Sequence, residues 1–178
     1  MLLAKTIVFI YVLNIGRTQY IHAQETHTRL PELYTLVGSW KVTAETRLSA
    51  NGPWEINKGT AMIKKTTGNT LIEEEYTGLL NSKSFFTESV IAYNHFTNVF
   101  QRIFIDSEHG VLIDYEGEKK ADTIFFNKTW TYPSGSTVKL RVVYTIISAD
   151  EFKIENMRMP EDSSKWDHTN RMHYVRIR

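Results

Sequence analysis

Four charged residues lie within stretches of strand-forming sequence: Glu75, Arg102, Arg141 and Glu155. Thr, Lys or Ser more commonly occupy such positions when they face solvent, so these four are candidates for the interior. Two carboxylates and two guanidinium groups compensate one another's charge in a low-dielectric interior. The sequence therefore predicts that at least one Arg–Glu pair faces a cavity and orients the polar end of a ligand.

The acidic run from Glu73 to Glu75 supports an inward-facing carboxylate. Side chains alternate between the two faces of a strand, so three consecutive carboxylates cannot all face solvent. Glu74 shares a face with Ile72 and Tyr76, whereas Glu75 shares the opposite face with Glu73. A buried carboxylate needs a basic partner. The run is compatible both with a structural ion pair and with a general base in a cavity.

Aromatic residues give the strongest indication of a ligand. Their number exceeds what is needed to close the floor of a small barrel. They include Phe86, Phe100, Phe104, Phe126, Trp130, Tyr144, Phe152 and Trp166. Such side chains either fill the interior or line a pocket for a small apolar or aromatic molecule. We expect Phe104, Trp130 and Tyr144 to line such a pocket together with the four charged residues.

Motifs for other kinds of chemistry are missing from the sequence. The chain has no cysteines, which excludes disulfides, thiolate metal sites and Cys nucleophiles. Its 6 histidines show no His-x-His or His-Glu-x-x-His spacing, so we expect no metal site and no cofactor. Gly-x-Ser-x-Gly, phosphate-loop and dinucleotide motifs are also missing, so no catalytic residue is assigned.

Length and charge favour one globular domain. The 178 residues are 42% hydrophobic, which is enough to bury a core. The chain has 21 Lys and Arg residues against 20 Asp and Glu residues, a formal net charge of +1. This balance gives no general attraction to nucleic acid or to anionic membranes.

The N-terminal segment has the pattern of a signal peptide over residues 1–23. Lys5 precedes an apolar run from Ile7 to Leu13, and Ala23 is a small residue suited to cleavage. A periplasmic or secreted protein is the resulting expectation. The alternative is a membrane-anchored N-terminus, because Arg17 follows the apolar run. That run is shorter than the roughly 20 residues of a bilayer span, so we expect no stable span after processing.

The remaining sequence predicts a short helix within residues 24–37, started by Pro31, and one all-β domain over residues 38–178. After Gly38 the hydrophobic pattern has period 2. Turn-forming residues separate ten candidate strands, which are Trp40–Leu48, Gly59–Thr66, Thr70–Gly78, Phe85–Tyr93, Val99–Asp106, Val111–Gly117, Thr123–Trp130, Val138–Ile147, Phe152–Met159 and Trp166–Ile177.

Short connections between so many strands favour a single antiparallel up-and-down β-barrel, because closure removes exposed sheet edges. The first and last strands are neighbours in such a barrel. We therefore expect Trp40, near the start, and Arg176, near the end, to stack and close the barrel floor.

Several short motifs together resemble one bacterial family. They are Gly38-Ser39-Trp40, Glu75-Tyr76-Thr77-Gly78, Tyr93-Asn94, Phe104-Ile105-Asp106-Ser107, Lys139-Leu140-Arg141 and Tyr174-Val175-Arg176. In this order, from about Leu36 to Arg178, they are similar to the lipocalin-like proteins of domain of unknown function 1579. The resemblance implies a calycin-type barrel and no particular reaction.

Three functions are compatible with this sequence. The first is an exported protein that binds a small apolar or aromatic molecule in the barrel. The second is a barrel-cavity enzyme, an isomerase, lyase or hydrolase, that uses Glu75 or Arg141. The third is a structural or interaction module with a filled core. The sequence leaves the ligand and the oligomeric state open.

Overall fold

The computed structural model describes residues 33–47, 49–66, 70–80, 83–106 and 110–178. One turn of 3₁₀ helix, Leu33–Leu36, precedes ten strands. In chain order, β1 to β10 are Gly38–Thr46, Glu55–Lys65, Leu71–Leu80, Lys83–Asn94, Val99–Asp106, Val111–Lys120, Thr123–Thr131, Thr137–Ser148, Glu151–Pro160 and Asp167–Arg176.

The ten strands form one closed antiparallel barrel. Each strand pairs with the next along the chain, and β1 pairs with β10, with Trp40 opposite Arg176. Closure gives every strand two hydrogen-bonded neighbours, so no sheet edge is left for association with other chains. The predicted fold class, an all-β up-and-down barrel of about ten strands, is confirmed.

Alternation along the strands separates the interior from the outer surface. In β1 the side chains of Trp40, Val42 and Ala44 are buried, whereas Lys41 and Thr43 between them are exposed. The same period of 2 places a largely apolar set of side chains inside the barrel. Neighbouring residues on one strand therefore face opposite sides of the barrel wall. Each candidate site residue lies inside or outside according to its place in this alternation.

The first hairpin is longer than the period-2 pattern predicts. Strand β2 begins at Glu55, four residues before the predicted start at Gly59, and Glu55 pairs with Thr46 of β1. The prediction began at Gly59 because Glu55, Ile56 and Asn57 interrupt the apolar alternation. Ile56 lies on the outer face and is 68% exposed, so pairing with β1 keeps this segment extended without burying its one apolar side chain.

Gly38 allows the chain to enter the barrel against the last strand. Its φ is 145°, in a region that residues with a Cβ rarely adopt. A Cβ atom at this position would also collide with the Arg176 guanidinium. Both constraints favour glycine where the Gly-x-Trp motif begins.

The predicted N-terminal helix is present as the single 3₁₀ turn at Leu33–Leu36. The signal peptide predicted for residues 1–23 lies outside the described residues. Within the described part of the chain, no helix has the length and apolar character needed to cross a membrane.

Candidate functional site

The barrel interior has two halves of different character. The filled half lies near the floor and contains Trp40, Phe126, Tyr144, Phe152 and Tyr174, all fully buried. Phe152 stacks on Tyr174 with ring centroids 4.2 Å apart and meets the edge of Trp40 at 4.7 Å. These contacts resemble the packing of an ordinary hydrophobic core.

Trp40 and Arg176 lie together at the floor of the filled half. The guanidinium carbon of Arg176 is 4.2 Å from the Trp40 ring centroid. Arg176 also donates hydrogen bonds to the backbone oxygens of Thr35, Val37 and Ala149. The Trp40 indole N–H donates to Leu36 O at 2.8 Å. This pair therefore joins the 3₁₀ turn and the β8–β9 connection to the first and last strands.

The hollow half lies beyond the aromatic cluster and contains a cavity of about 240 Å³. Apolar and aromatic side chains form most of its wall, and Leu79, which is 47% exposed, stands where it meets solvent. The lining residues are Ala44, Thr46, Glu74, Tyr76, Leu79, Phe85, Thr87, Arg102, Phe104, Tyr115, Ile154, Asn156, Thr169, Asn170, Met172 and Tyr174.

Glu74 carries the negative charge in the cavity wall, although it is only 7% exposed. Three hydroxyl groups donate to its carboxylate: Tyr174 at 2.7 Å, Ser89 at 2.9 Å and Tyr144 at 3.4 Å. Strand pairing explains part of this arrangement, because Glu74 of β3 lies directly opposite Ser89 of β4. These donors compensate the carboxylate for the loss of hydration.

Arg102 carries the positive charge in the same wall and is 5% exposed. Its Nε donates to the Tyr144 hydroxyl at 3.1 Å, and the same hydroxyl donates to Glu74. The guanidinium carbon lies 5.0 Å from the Phe104 ring centroid and 5.6 Å from that of Tyr115. Arg102 and Glu74 are therefore linked through a shared hydroxyl group at the boundary between the two halves.

The hydroxyls of Tyr144 and Tyr174 act as hydrogen-bond donors to Glu74. Burial, followed by the charge of Glu74, raises the pKa of Tyr174 well above its ordinary value. Burial also raises the pKa of Tyr144 and of Tyr115, and in both cases it outweighs the opposite effect of Arg102. All three hydroxyls therefore remain protonated at neutral pH.

A polar arc occupies the cavity wall on the side of β1, β9 and β10. Asn156 Nδ2 donates to Asn170 Oδ1 at 3.3 Å, and Asn170 Nδ2 donates to Thr46 Oγ1 at 2.9 Å. The cavity thus combines an apolar body, a charged end and a row of amide and hydroxyl groups. This combination is typical of small-molecule sites, in which a few polar groups fix the orientation of a ligand.

Three of the predicted ligand-binding residues lie together. Arg102 and Phe104, two residues apart on β5, both line the cavity. Tyr144 belongs to the filled half and is connected to the cavity wall through its hydrogen bonds with Arg102 and Glu74. Trp130 is half-buried near the end of β7 and lies outside the cavity wall formed by the described residues.

The predicted interior location is wrong for Glu75, Arg141 and Glu155. Glu75 is exposed and pairs with Lys64 at 3.0 Å, because it points away from the side of β3 that carries Glu74. Arg141 lies over the ring of Trp166 at 4.3 Å and donates to Asn127.

Glu155 lies outside because it alternates on β9 with Ile154 and Asn156, which line the cavity, and its strand partner Arg171 likewise lies on the outer face. The carboxylate of Glu155 is 3.9 Å from Arg171 Nε. No Arg–Glu pair among the four predicted residues faces the cavity. The interior pair is Arg102 with Glu74, linked through Tyr144, and Glu74 lies where Glu75 was expected. The shared face of Ile72, Glu74 and Tyr76 was the signal in the sequence that could have identified the inward carboxylate.

Groups suited to metal binding are not found in the described part of the chain. No cluster of three or more His, Asp and Glu side chains there has the arrangement needed to hold a metal ion. The charged groups that the described residues contribute to the cavity are one carboxylate and one guanidinium, both hydrogen-bonded to hydroxyl groups. Their chemistry is that of hydrogen bonding and charge pairing.

Solved structures with a similar fold include the S-type phycobiliprotein lyase of Guillardia theta. It is 14% identical, with 88% of this chain and 97% of that chain covered and a TM-score of 0.56. A redesigned β-barrel, mFAP0, bound to DFHBI is 10% identical, with 80% and 99% covered and a TM-score of 0.45.

A Nostoc punctiforme protein of unknown function from the DUF3598 family is 11% identical, with 82% of this chain covered and a TM-score of 0.46. This chain spans 48% of that protein. Identities this low show the fold alone.

No curated protein has a matching sequence. A family model, in contrast, matches almost the whole barrel and the segment before it, over residues 22–176. The match includes the Gly-x-Trp opening, both cavity charges and the terminal Arg176. The chain therefore belongs to the family described as "Protein of unknown function (DUF1579)".

Proposed function

We propose that this protein binds a small, mainly apolar or aromatic molecule in the hollow half of its barrel. The observation that carries the proposal is the cavity of about 240 Å³ bounded by the buried Arg102–Tyr144–Glu74 cluster. A protein that needed only a stable barrel would gain by filling this space with apolar side chains. A cavity next to an uncommon pair of buried charges favours a binding role over the filled-core module.

The cavity volume limits the size of the ligand. An apolar cavity of roughly 150 Å³ holds one benzene molecule. By proportion, this cavity of about 240 Å³ accommodates on the order of ten non-hydrogen atoms. A two-ring aromatic compound matches that size, and a longer ligand would extend toward Leu79.

The geometry supports binding more directly than catalysis. The cavity-enzyme alternative relied on Glu75 or Arg141, and both lie on the outer face. The carboxylate that does line the cavity, Glu74, accepts hydrogen bonds from three hydroxyls. A general base needs a lone pair that can reach a substrate proton, and this arrangement leaves little access to one.

Export is part of the proposal and is supported by the N-terminal sequence pattern. We expect the protein in its host to lack residues 1–23 and to be periplasmic or secreted. Intact-mass measurement of protein purified from the host would detect this processing. A mass that includes residues 1–23 would contradict it.

Titration with 2-naphthol, a neutral fluorescent two-ring compound, tests the binding site. We expect saturable binding with one site per chain. Ala44 is buried and lines the cavity, so Ala44→Phe should fill the space and weaken binding at least tenfold. Ala92→Phe, on the outward side of β4, is the matched control and should leave binding unchanged.

Two results would contradict the binding proposal. One is the lack of saturable binding to the folded wild-type chain. The other is an equal effect of Ala44→Phe and Ala92→Phe, which would place the probe elsewhere. Circular dichroism of both variants verifies that they remain folded, and Ala44→Leu provides a smaller filling substitution if Ala44→Phe does not.

A further inference from the structure

Among the described residues, two charged side chains line the cavity, and they differ in their capacity to bind a ligand. Glu74 accepts hydrogen bonds from Tyr174, Ser89 and Tyr144. An ionised carboxylate offers about four lone-pair positions, so three are already used. A cationic ligand group would have to displace one of these buried hydroxyls from the carboxylate, and the displaced hydroxyl would lose its charge-assisted hydrogen bond.

Arg102 has the larger unused capacity. A guanidinium carries five N–H donors and stays protonated in proteins. Among the described residues, its hydrogen-bond partner is the Tyr144 hydroxyl, which receives the Nε donor. A hydroxyl dipole, rather than a carboxylate, therefore contacts this buried cation. Such a cation gains substantially from an anionic partner that provides charge-assisted hydrogen bonds.

The surroundings of Arg102 also fix its orientation. The rings of Phe104 and Tyr115 lie 5.0 and 5.6 Å from its guanidinium carbon. The Phe104 ring also lines the cavity, so a flat aromatic ligand can contact that ring while its polar end meets Arg102. Preorganised donors lose little entropy when the ligand arrives.

We infer that the ligand is a small aromatic acid whose carboxylate pairs with Arg102. This inference rests on the proposed binding function and specifies the chemistry of the ligand's polar end. A monoanion fits better than a dianion, because Glu74 already places one negative charge near the guanidinium and each further charge on the ligand adds repulsion. The planar carboxylate also matches the fork of guanidinium donors, which favours paired hydrogen bonds.

Paired ligands of equal shape test this inference. We would titrate the folded chain at pH 7 with 2-naphthoate and with 2-naphthamide, which differ chiefly in the charge of the polar end. We expect 2-naphthoate to bind ten to a hundred times more tightly. In Arg102→Met this preference should disappear, whereas Arg141→Met, which removes an outer arginine, should retain it.

The outcomes separate this inference from the proposed function. Binding of both compounds with equal affinity, or tighter binding of 2-naphthamide, overturns the inference and leaves the binding site intact. Failure of both compounds and of 2-naphthol to bind overturns the binding function itself.

The affinity ratio on the wild-type chain is decisive even if Arg102→Met fails to fold. In that case the double variant Arg102→Met, Glu74→Leu removes both buried charges and provides a second test. Loss of the preference in that variant supports the inference, and its retention contradicts it.

Discussion

In the filled half of the barrel the aromatic rings contact one another, whereas in the hollow half they face a cavity. Phe152 packs between Tyr174 and Trp40, and each ring of this group is fully buried. Phe85 and Phe104 retain exposure and line the empty space instead. The same residue type thus stabilises one half and shapes a binding site in the other.

The boundary between the halves is polar. Tyr144 packs against Phe126 on one side and hydrogen-bonds to Arg102 and Glu74 on the other. A buried charge pair is a weak source of stability but costs much when one partner is removed. The boundary therefore fixes the positions of the polar groups at the inner end of the cavity. The packed aromatic side chains of the filled half are expected to provide most of the stability.

Removing one large aromatic residue from each half tests this comparison most directly. We expect Trp40→Ala to lower the free energy of unfolding by about 3–5 kcal/mol, because the ring is fully buried. Phe104→Ala should cost about 1 kcal/mol, since its ring already borders empty space. Urea unfolding monitored by circular dichroism measures both values. Equal losses would show that the hollow half is packed in solution.

Replacing an arginine at the boundary and one on the outer face should give the next largest difference. We expect Arg102→Met to cost about 3 kcal/mol, because it leaves the Glu74 carboxylate buried without a nearby cation. Arg141→Met should change the free energy of unfolding by about 0.5 kcal/mol, since it removes an outer contact with Trp166. A larger effect at Arg141 than at Arg102 would contradict the assigned faces.

High pH should destabilise the boundary through its tyrosines. Burial raises the pKa of Tyr174 in the folded chain, whereas in the unfolded chain it ionises near pH 10. The folded state therefore binds more protons above pH 10. Stability from this group is complete below pH 10 and falls as pH rises, by about 1.4 kcal/mol per pH unit.

Comparing the wild type with Tyr174→Phe isolates this contribution. We expect the variant to lose stability less steeply between pH 10 and 11, as measured by urea unfolding at each pH. Lysine deprotonation affects both chains alike and cancels in the difference. Identical slopes would mean that the Tyr174 hydroxyl is accessible to solvent.

The sequence determined the barrel more fully than the cavity. Period-2 alternation and turn-forming residues predicted ten strands, and Val99–Asp106 was placed without error. Alternation alone assigns a residue to one of two faces, and it misplaced Glu75 because the acidic run offers a carboxylate on each face. The face that Glu74 shares with Ile72 and Tyr76 could have identified it as the inward carboxylate, but the prediction chose Glu75.

The lining of the cavity depends on contacts across strands far apart in sequence. Tyr174 and Glu74 are 100 residues apart, and their hydrogen bond requires the closed barrel. Asn156 and Asn170 gave no signal in the sequence, because polar residues within strands are common on the solvent-facing side. Which side chains meet in this way depends on the pairing register between strands, and local sequence patterns do not specify that register.

A small effect on stability is expected at Arg176, at the floor. Arg176→Lys keeps the charge but loses the planar group that stacks on Trp40 and donates to the oxygens of Thr35, Val37 and Ala149. We expect a loss of about 1 kcal/mol in the free energy of unfolding, because the side chain is partly exposed and water replaces some of the lost bonds.

Binding of 2-naphthol by the Arg176→Lys variant completes this test. The floor lies across the filled half from the cavity, so the affinity should equal that of the wild type. A loss of affinity with little change in stability would show that the floor contact positions the cavity wall. The packing of the filled half would then transmit changes to the hollow half, and the two halves would act as one unit.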